Sequence, residues 1–271
     1  MNRNIQNDYI GQIIETLEKK GGNHNSYYHY TTWDSFEKIA MNRSFLFTRG
    51  NALSMNDQHE PQKGSWEIWN KTYIGSFSFG SAENMAMWGL YGLPWEDAVR
   101  LEIPKEQMIQ WVKSINFVTL WNGTDGRIVS NCNVTLADII YIDGKVGSTD
   151  IRLSRANTSK SIAKFPELHG IASDPRMTGY IKNYAWHYEN EVRLKIELPH
   201  NVGYDKIKVN VPAELIDSIK VTTGPNFQWK DSKFLDELDA AGRVKPSGFT
   251  NLLRYRSICS MCRYNGFERA E

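Results

Sequence analysis

Short strand-forming runs recur along this chain with helical segments between them, joined by connections too short and hairpin-like for a repeating strand-helix-strand crossover. Ser26-Tyr27-Tyr28-His29-Tyr30 is aromatic-rich and of high β propensity, and Thr31-Thr32 then caps an amphipathic stretch around Phe36, Ile39 and Ala40. Phe45-Leu46-Phe47-Thr48 forms a second strand. Residues 73–79 alternate as a third, after which Ser81 is placed to cap a helix carrying Met85, Met87, Trp88 and Tyr91. Residues 98–103, 115–121 and 138–146 read as strands, with Pro104 opening a short helix toward Trp111. Apolar spacing predicts a helix of about four turns over 175–188 and a strand over 191–198, with Val192, Leu194 and Ile196 on one face. Strands over 206–211 and 218–223, a helix over 231–241 and an irregular basic tail from Lys245 complete the pattern. The fold class this implies is α+β.

The 271 residues are enough to bury a full core and sit near the upper size for one domain. A single domain is therefore expected: an amphipathic helix over 1–22 stopped by Gly21-Gly22, a core over 26–225, and a helix and basic tail over 226–271. A net charge of +1 gives no global field toward nucleic acid or anionic lipid, so any such contact is a local patch such as 254–263. Three cysteines are too few for a disulfide framework and suit a reducing compartment. Residues 1–20 lack the apolar core of a secretion signal, and no uncharged run of roughly eighteen apolar residues occurs, so no membrane span is expected. The cytoplasm is the expected location.

Few signals carry chemistry alone. His29 stands where a strand meets a helix cap, a place where a side chain and free backbone groups converge on a ligand, although plain strand packing explains it equally. Glu189-x-Glu191 ahead of Arg193 puts two carboxylates at the mouth of a strand, able to hold a sugar hydroxyl; the bland alternative is a surface ion pair. Ser76 and Ser78 share a face opposite Phe77, where two hydroxyls can bond a ligand or orient a carboxylate, although ordinary strand alternation explains the pattern equally. The Asn56-Asp57-Gln58-His59-Glu60 loop lacks the second cluster a metal would need, and Cys259-x-x-Cys262 is half a zinc site. No metal is expected. Glycine-rich dinucleotide and phosphate loops are absent, as is Gly-x-Ser-x-Gly.

The order of the pieces is more informative. Tyr28-His29-Tyr30-Thr31, Asn56-Asp57-Gln58-His59-Glu60, Phe77-Ser78 leading to Met87-Trp88-Gly89-Leu90-Tyr91, and Trp186-His187-Tyr188-Glu189-Asn190-Glu191-Val192-Arg193 together resemble a large bacterial family of unknown function. That family looks related to the ADP-ribosyltransferase fold, a split mixed sheet with flanking helices that binds NAD in its cleft. The resemblance covers roughly residues 26–225, and the chain departs from it at Met55, Gln58 and His59. It implies NAD as substrate, Glu191 as the carboxylate beside the ribose with Glu189 as its partner, and Ser78 orienting Glu191. It also implies that His29 grips the adenosine ribose or the nicotinamide amide and that Tyr30, with Thr31 beside it, or Trp88 stacks on nicotinamide, with Arg49 on the pyrophosphate. The implied activity is mono-ADP-ribosyl transfer to a protein or nucleic acid, as in a toxin or phage-conflict effector. Its alternatives are NAD hydrolysis and a non-catalytic nucleotide- or partner-binding module of the same fold.

Overall fold

The structure is a computed structural model that describes residues 3–53, 65–143, 152–153 and 174–250. In chain order the elements are α1 (Arg3–Gly21), β1 (Ser26–Thr32), α2 (Trp33–Asn42), β2 (Ser44–Arg49), α3 (Trp66–Trp69), β3 (Thr72–Ser78), α4 (Met85–Tyr91), β4 (Ala98–Pro104) and α5 (Lys105–Ser114). They continue with β5 (Phe117–Trp121), β6 (Asp125–Ser130), β7 (Asn133–Asp138), β8 (Ile140–Asp143), β9 (Arg152–Leu153), β10 (Ile181–Asn183), β11 (Glu191–Glu197), β12 (Lys206–Asn210), α6 (Ala213–Ser218), β13 (Lys220–Thr223), α7 (Lys233–Ala240) and β14 (Val244–Pro246). The protein is thus α+β, and its strands pair mostly antiparallel. No helix among the described residues is long and apolar enough to cross a membrane.

The chain forms two compact units. The first is drawn from Met1–His29, Ile39–Gly80 and Ile103–Ser218, and the second from Tyr30–Lys38, Ser81–Glu102 and Ile219–Glu271.

In the first unit an antiparallel sheet runs β7-β11-β3-β2-β12-β5-β6. Strand β3 is its axis. One edge of β3 pairs with β11 along its whole length, whereas the other is shared: β2 pairs at Tyr73 and Ile74, and β1 pairs at Ser78. The sheet therefore forks beside β3, with Ser76 between the two ladders. Its two faces differ in chemistry because side chains alternate along each strand. Phe47, Phe77, Val192, Leu194 and Ile196 line one face, closed by Trp111 of α5. On the other face α1 lays Ile10, Ile13 and Leu17 over Ala137, together with Met177, Tyr180 and Ile181. A small sheet, β10-β8-β9, pairs β10 parallel to β8.

The second unit joins β13 antiparallel to β4 and parallel to β14. Trp33, Phe36 and Phe234 pack there at centroid distances of 5.5–5.7 Å. Asn84, not Ser81, caps α4, its side chain accepting from the backbone of Ala86 and Met87. The tail from Lys245 begins inside β14.

The four-turn helix expected over 175–188 is absent. Gly179 adopts φ +84 and Asn190 φ 45, conformations that end a right-handed helix, and the residues between split into β10 and a 3-10 turn, Tyr184–Glu189. Pairing with β8 overrides the apolar periodicity. The predicted strand over 138–146 likewise divides at Ile139, where the chain leaves β7 for the small sheet.

Gly21 ends α1 without a left-handed residue. A Cβ there would sit 2.5 Å from the Ala137 Cα and 2.6 Å from the Leu136 carbonyl oxygen, so the helix end touches strand backbone. At Gly22 the nearest atom would be 3.5 Å away, ordinary contact. Gly21→Ala is therefore expected to cost about 1–3 kcal/mol and Gly22→Ala less than about 0.5 kcal/mol in equilibrium urea denaturation. Equal losses would refute the close-approach account.

Candidate functional site

Glu191 opens β11 in register with Ser78 of β3, which is itself opposite Tyr28 of β1. Its side chain points to the α1 face, shared with Ser76, Ser78, Arg193 and Lys195 by alternation and pairing. All but Ser76 are buried there; Ser76, at the fork, is exposed.

Both oxygens of the Glu191 carboxylate are engaged. Oε1 accepts from the Ser76 hydroxyl at 2.6 Å and from Arg193 Nε at 2.8 Å. Oε2 accepts from Lys182 Nζ at 3.1 Å and Arg193 Nη2 at 3.2 Å. The guanidinium thus grips the carboxylate with two nitrogens, and its Nη1 donates to the Gly179 carbonyl at 3.1 Å. Lys182, from β10, also bonds Glu189 Oε2 at 2.5 Å. The Glu191 backbone N–H donates to the Tyr141 hydroxyl of β8 at 2.8 Å. One residue is therefore tied to β3, β8, β10 and its own strand. Two carboxylates and two cations make the group formally neutral, as burial requires. Burial alone would raise the Glu191 carboxyl, but Arg193, Lys182 and the Ser76 hydroxyl together hold it far below the usual carboxylate range.

The paired glutamates sit at a buried junction rather than a charged surface entrance. Glu189 closes the 3-10 turn and Glu191 begins the strand, with the left-handed Asn190 between them, yet both reach Lys182. The hydroxyl on Glu191 is that of Ser76, not the expected Ser78. His29 meets the same residue from elsewhere: its Nδ1 donates to the Ser76 carbonyl, which lies between the two ladders, at 3.1 Å. Its ring packs against Phe45 and Phe77 on the aromatic face, and burial holds the imidazole below its ordinary range. His29 and Glu191 thus converge on Ser76, from opposite faces of the sheet.

Other expected ligand residues are occupied. Arg49 Nη2 bonds Asp205 at 2.5 Å. Tyr30 and Trp88 belong to the second unit, where they pack edge to face at 4.9 Å; Trp88 is 1 % exposed, so both serve as core there. Thr31 lies beside them in β1, half-buried. Among the described residues no group of three or more His, Cys, Asp or Glu is arranged to hold a metal ion. The 56–60 loop, Cys259, Cys262 and the basic segment 254–263 lie outside the described residues.

Sequence reasoning missed Lys182 and Tyr141. Lys182 was hidden by the helical reading of its segment, although Gly179 and Asn183 on either side of it are residues that interrupt helices. No family model matches this chain, nor does any curated protein or solved structure.

Removing Lys182 leaves two buried carboxylates facing one guanidinium. Lys182→Met is expected to cost about 3–5 kcal/mol by urea denaturation at neutral pH. The loss should shrink in acid, because a carboxyl lowered by folding stabilises in full above its unfolded value, near 4.3, and loses that contribution progressively as pH falls from there toward the lowered folded value. A loss unchanged down to pH 3 would refute the charge account.

Two residues beyond Arg193 on β11, Lys195 lies over the Tyr180 ring at 3.8 Å. Burial pushes its ammonium down to about 8, against the pull of Glu197 and Glu18 and with a push from Arg193. Here the sign reverses: between about 8 and the unfolded value near 10.4 the unfolded chain binds more protons, so stability rises with pH. Denaturation at pH 8 and pH 10 should show a gain on the order of 2 kcal/mol relative to Lys195→Met. Parallel curves would overturn it.

Proposed function

We propose that the chain transfers ADP-ribose from NAD, with Glu191 as the carboxylate facing the sugar. The observation that carries the reading is the 2.6 Å bond from the hydroxyl of Ser76, an exposed residue at a fork in the sheet, to a buried carboxylate held ionised. The fork beside β3 supports an ADP-ribosyltransferase-like split sheet, whose cleft in the family this chain resembles receives NAD.

The chemistry suits what is placed there. The bond from the ribose C1′ to the nicotinamide nitrogen breaks with its electron pair going to the ring, which leaves as a neutral molecule and needs no acid. Positive charge then gathers on the sugar, and a fixed anion stabilises it without reorganising. Glu191 supplies that anion, a ribose hydroxyl taking the place of the Ser76 donor on Oε1. A carboxylate held so far down is a poor base. The acceptor closes a bond to C1′ with its own lone pair, and its proton passes to Glu189. With water as acceptor the product is free ADP-ribose; with a protein or nucleic acid it is the conjugate expected of a toxin or phage-conflict effector.

A second reading is favoured by the number of protein donors on Glu191. Four hydrogen bonds leave the carboxylate satisfied, which suits a non-catalytic module whose ion pairs hold its sheets together. Incubation with labelled NAD and cell lysate separates the readings: label on protein, label on nucleic acid, free ADP-ribose, or none. Transfer is expected, and Glu191→Gln should lower it by about 10²–10³-fold. An active wild type matched by Glu191→Gln would remove the site assignment, and inertness toward NAD would leave the binding module.

A further inference from the structure

The turn that delivers Glu189 is unusually rich in rings. Tyr184, Trp186, His187 and Tyr188 occupy four of its six positions, and all four are half-buried. The turn is fixed at both ends: Asn183 accepts from the Ala185 N–H at 2.9 Å, and Asn190 closes it in the left-handed conformation. Its rings are fixed as well. Tyr184 and His187 stack at 4.2 Å with planes 9° apart, His187 Nδ1 donates to the Tyr184 carbonyl at 2.9 Å, and Trp186 and Tyr188 lie tilted at 6.2 Å. Trp186 is backed by Lys182, whose Nζ is 5.0 Å from its ring centroid while bonded to both glutamates. A preformed aromatic surface thus belongs to the segment carrying the carboxylate pair.

We propose that Trp186, supported by Tyr188, is a stacking platform for an unpaired purine base. This deepens the NAD reading by naming what is held beside the carboxylates, and it rests on that reading for its link to catalysis. Stacking on a half-exposed indole suits any base, since each has a π face and a ring already held in place loses little freedom on binding. Lys182 narrows the choice. With a cation already over the indole, a second one, whether a guanidinium or the pyridinium of nicotinamide, meets repulsion and a quadrupole already engaged, whereas a neutral electron-rich ring does not. The base has two sources with the same chemistry, the adenine of a dinucleotide and a purine in a single strand.

The test is binding measured apart from turnover. Wild type, Trp186→Ala and Trp186→Phe are titrated by calorimetry with AMP, single-stranded oligo(dA), oligo(dT) and nicotinamide mononucleotide. AMP or oligo(dA) is expected to bind more tightly than oligo(dT) or the mononucleotide with its pyridinium ring. Trp186→Ala should weaken purine binding by about tenfold or more, and Trp186→Phe should restore most of it. Preference for AMP assigns the platform to the dinucleotide and preference for oligo(dA) to a strand; both sustain it. Purine affinity equal in wild type and Trp186→Ala, or no purine binding at millimolar concentration, overturns it. NAD consumption is followed in the same preparations, so a chain that binds purines through Trp186 without consuming NAD fails the reaction alone.

Discussion

The Glu191 carboxylate and its donors are the interaction on which the first unit depends. Through Ser76 it reaches β3, through Lys182 it reaches β10, and its backbone N–H reaches Tyr141 on β8, so one residue joins the large sheet to the small one. Buried ion pairs seldom add stability over well-packed apolar groups, because desolvation offsets most of the attraction. Here the cluster specifies register. Sliding β11 by one residue against β3 would turn Glu191, Arg193 and Lys195 into the layer of Phe47, Phe77 and Trp111 and bring Val192, Leu194 and Ile196 out of it. Charges on one parity and branched aliphatics on the other forbid that slip more strongly than an all-apolar strand would.

The arrangement also sets the two glutamates in different surroundings. Arg193, two residues away on the same face, lies where its guanidinium can grip both oxygens of Glu191 with two nitrogens, and Lys182 shares Oε2 with it. This keeps the carboxylate charged and strips it of basicity. Such a group suits electrostatic stabilisation of a cationic sugar and does not suit proton abstraction. Glu189 also bonds Lys182, and it stands at the end of a turn rather than within the ladder.

Much of the fold is legible in the sequence where one physical signal acts alone. Alternation located β3 and β11, and amphipathic spacing located α1, with its Gly-Gly stop, and α2, behind its threonine cap. Legibility fails where tertiary pairing competes with local pattern. Residues 175–188 have helical apolar spacing, but β8 offers Ile181 and its neighbours a parallel partner and Gly179 permits the turn into it. Strand β6 escaped notice because Asp125–Ser130 is exposed at five of its six positions and carries little apolar alternation. β14 escaped because Pro246 sits in it, which an edge strand tolerates.

The site itself was legible as an order of motifs, and only in part as a geometry. Glu191 and Glu189 could be singled out from their spacing, but their burial and their shared lysine follow from how two sheets meet. The case of His29 shows the physical limit. Chain order aligns it with Ser78 and Glu191, yet pairing sets Tyr28, its neighbour, opposite Ser78, and neighbours in a strand point to opposite faces. Parity therefore sends the imidazole to the aromatic side, where burial disfavours its charged form and Phe45 and Phe77 pack around it. It still reaches the site because β1 and β2 part beside Ser76, and a carbonyl between two ladders needs a donor. The fork at which Ser76 meets Glu191 on one face thus gives His29 its partner on the other, so the two ends of the motif are coupled through a single residue of β3.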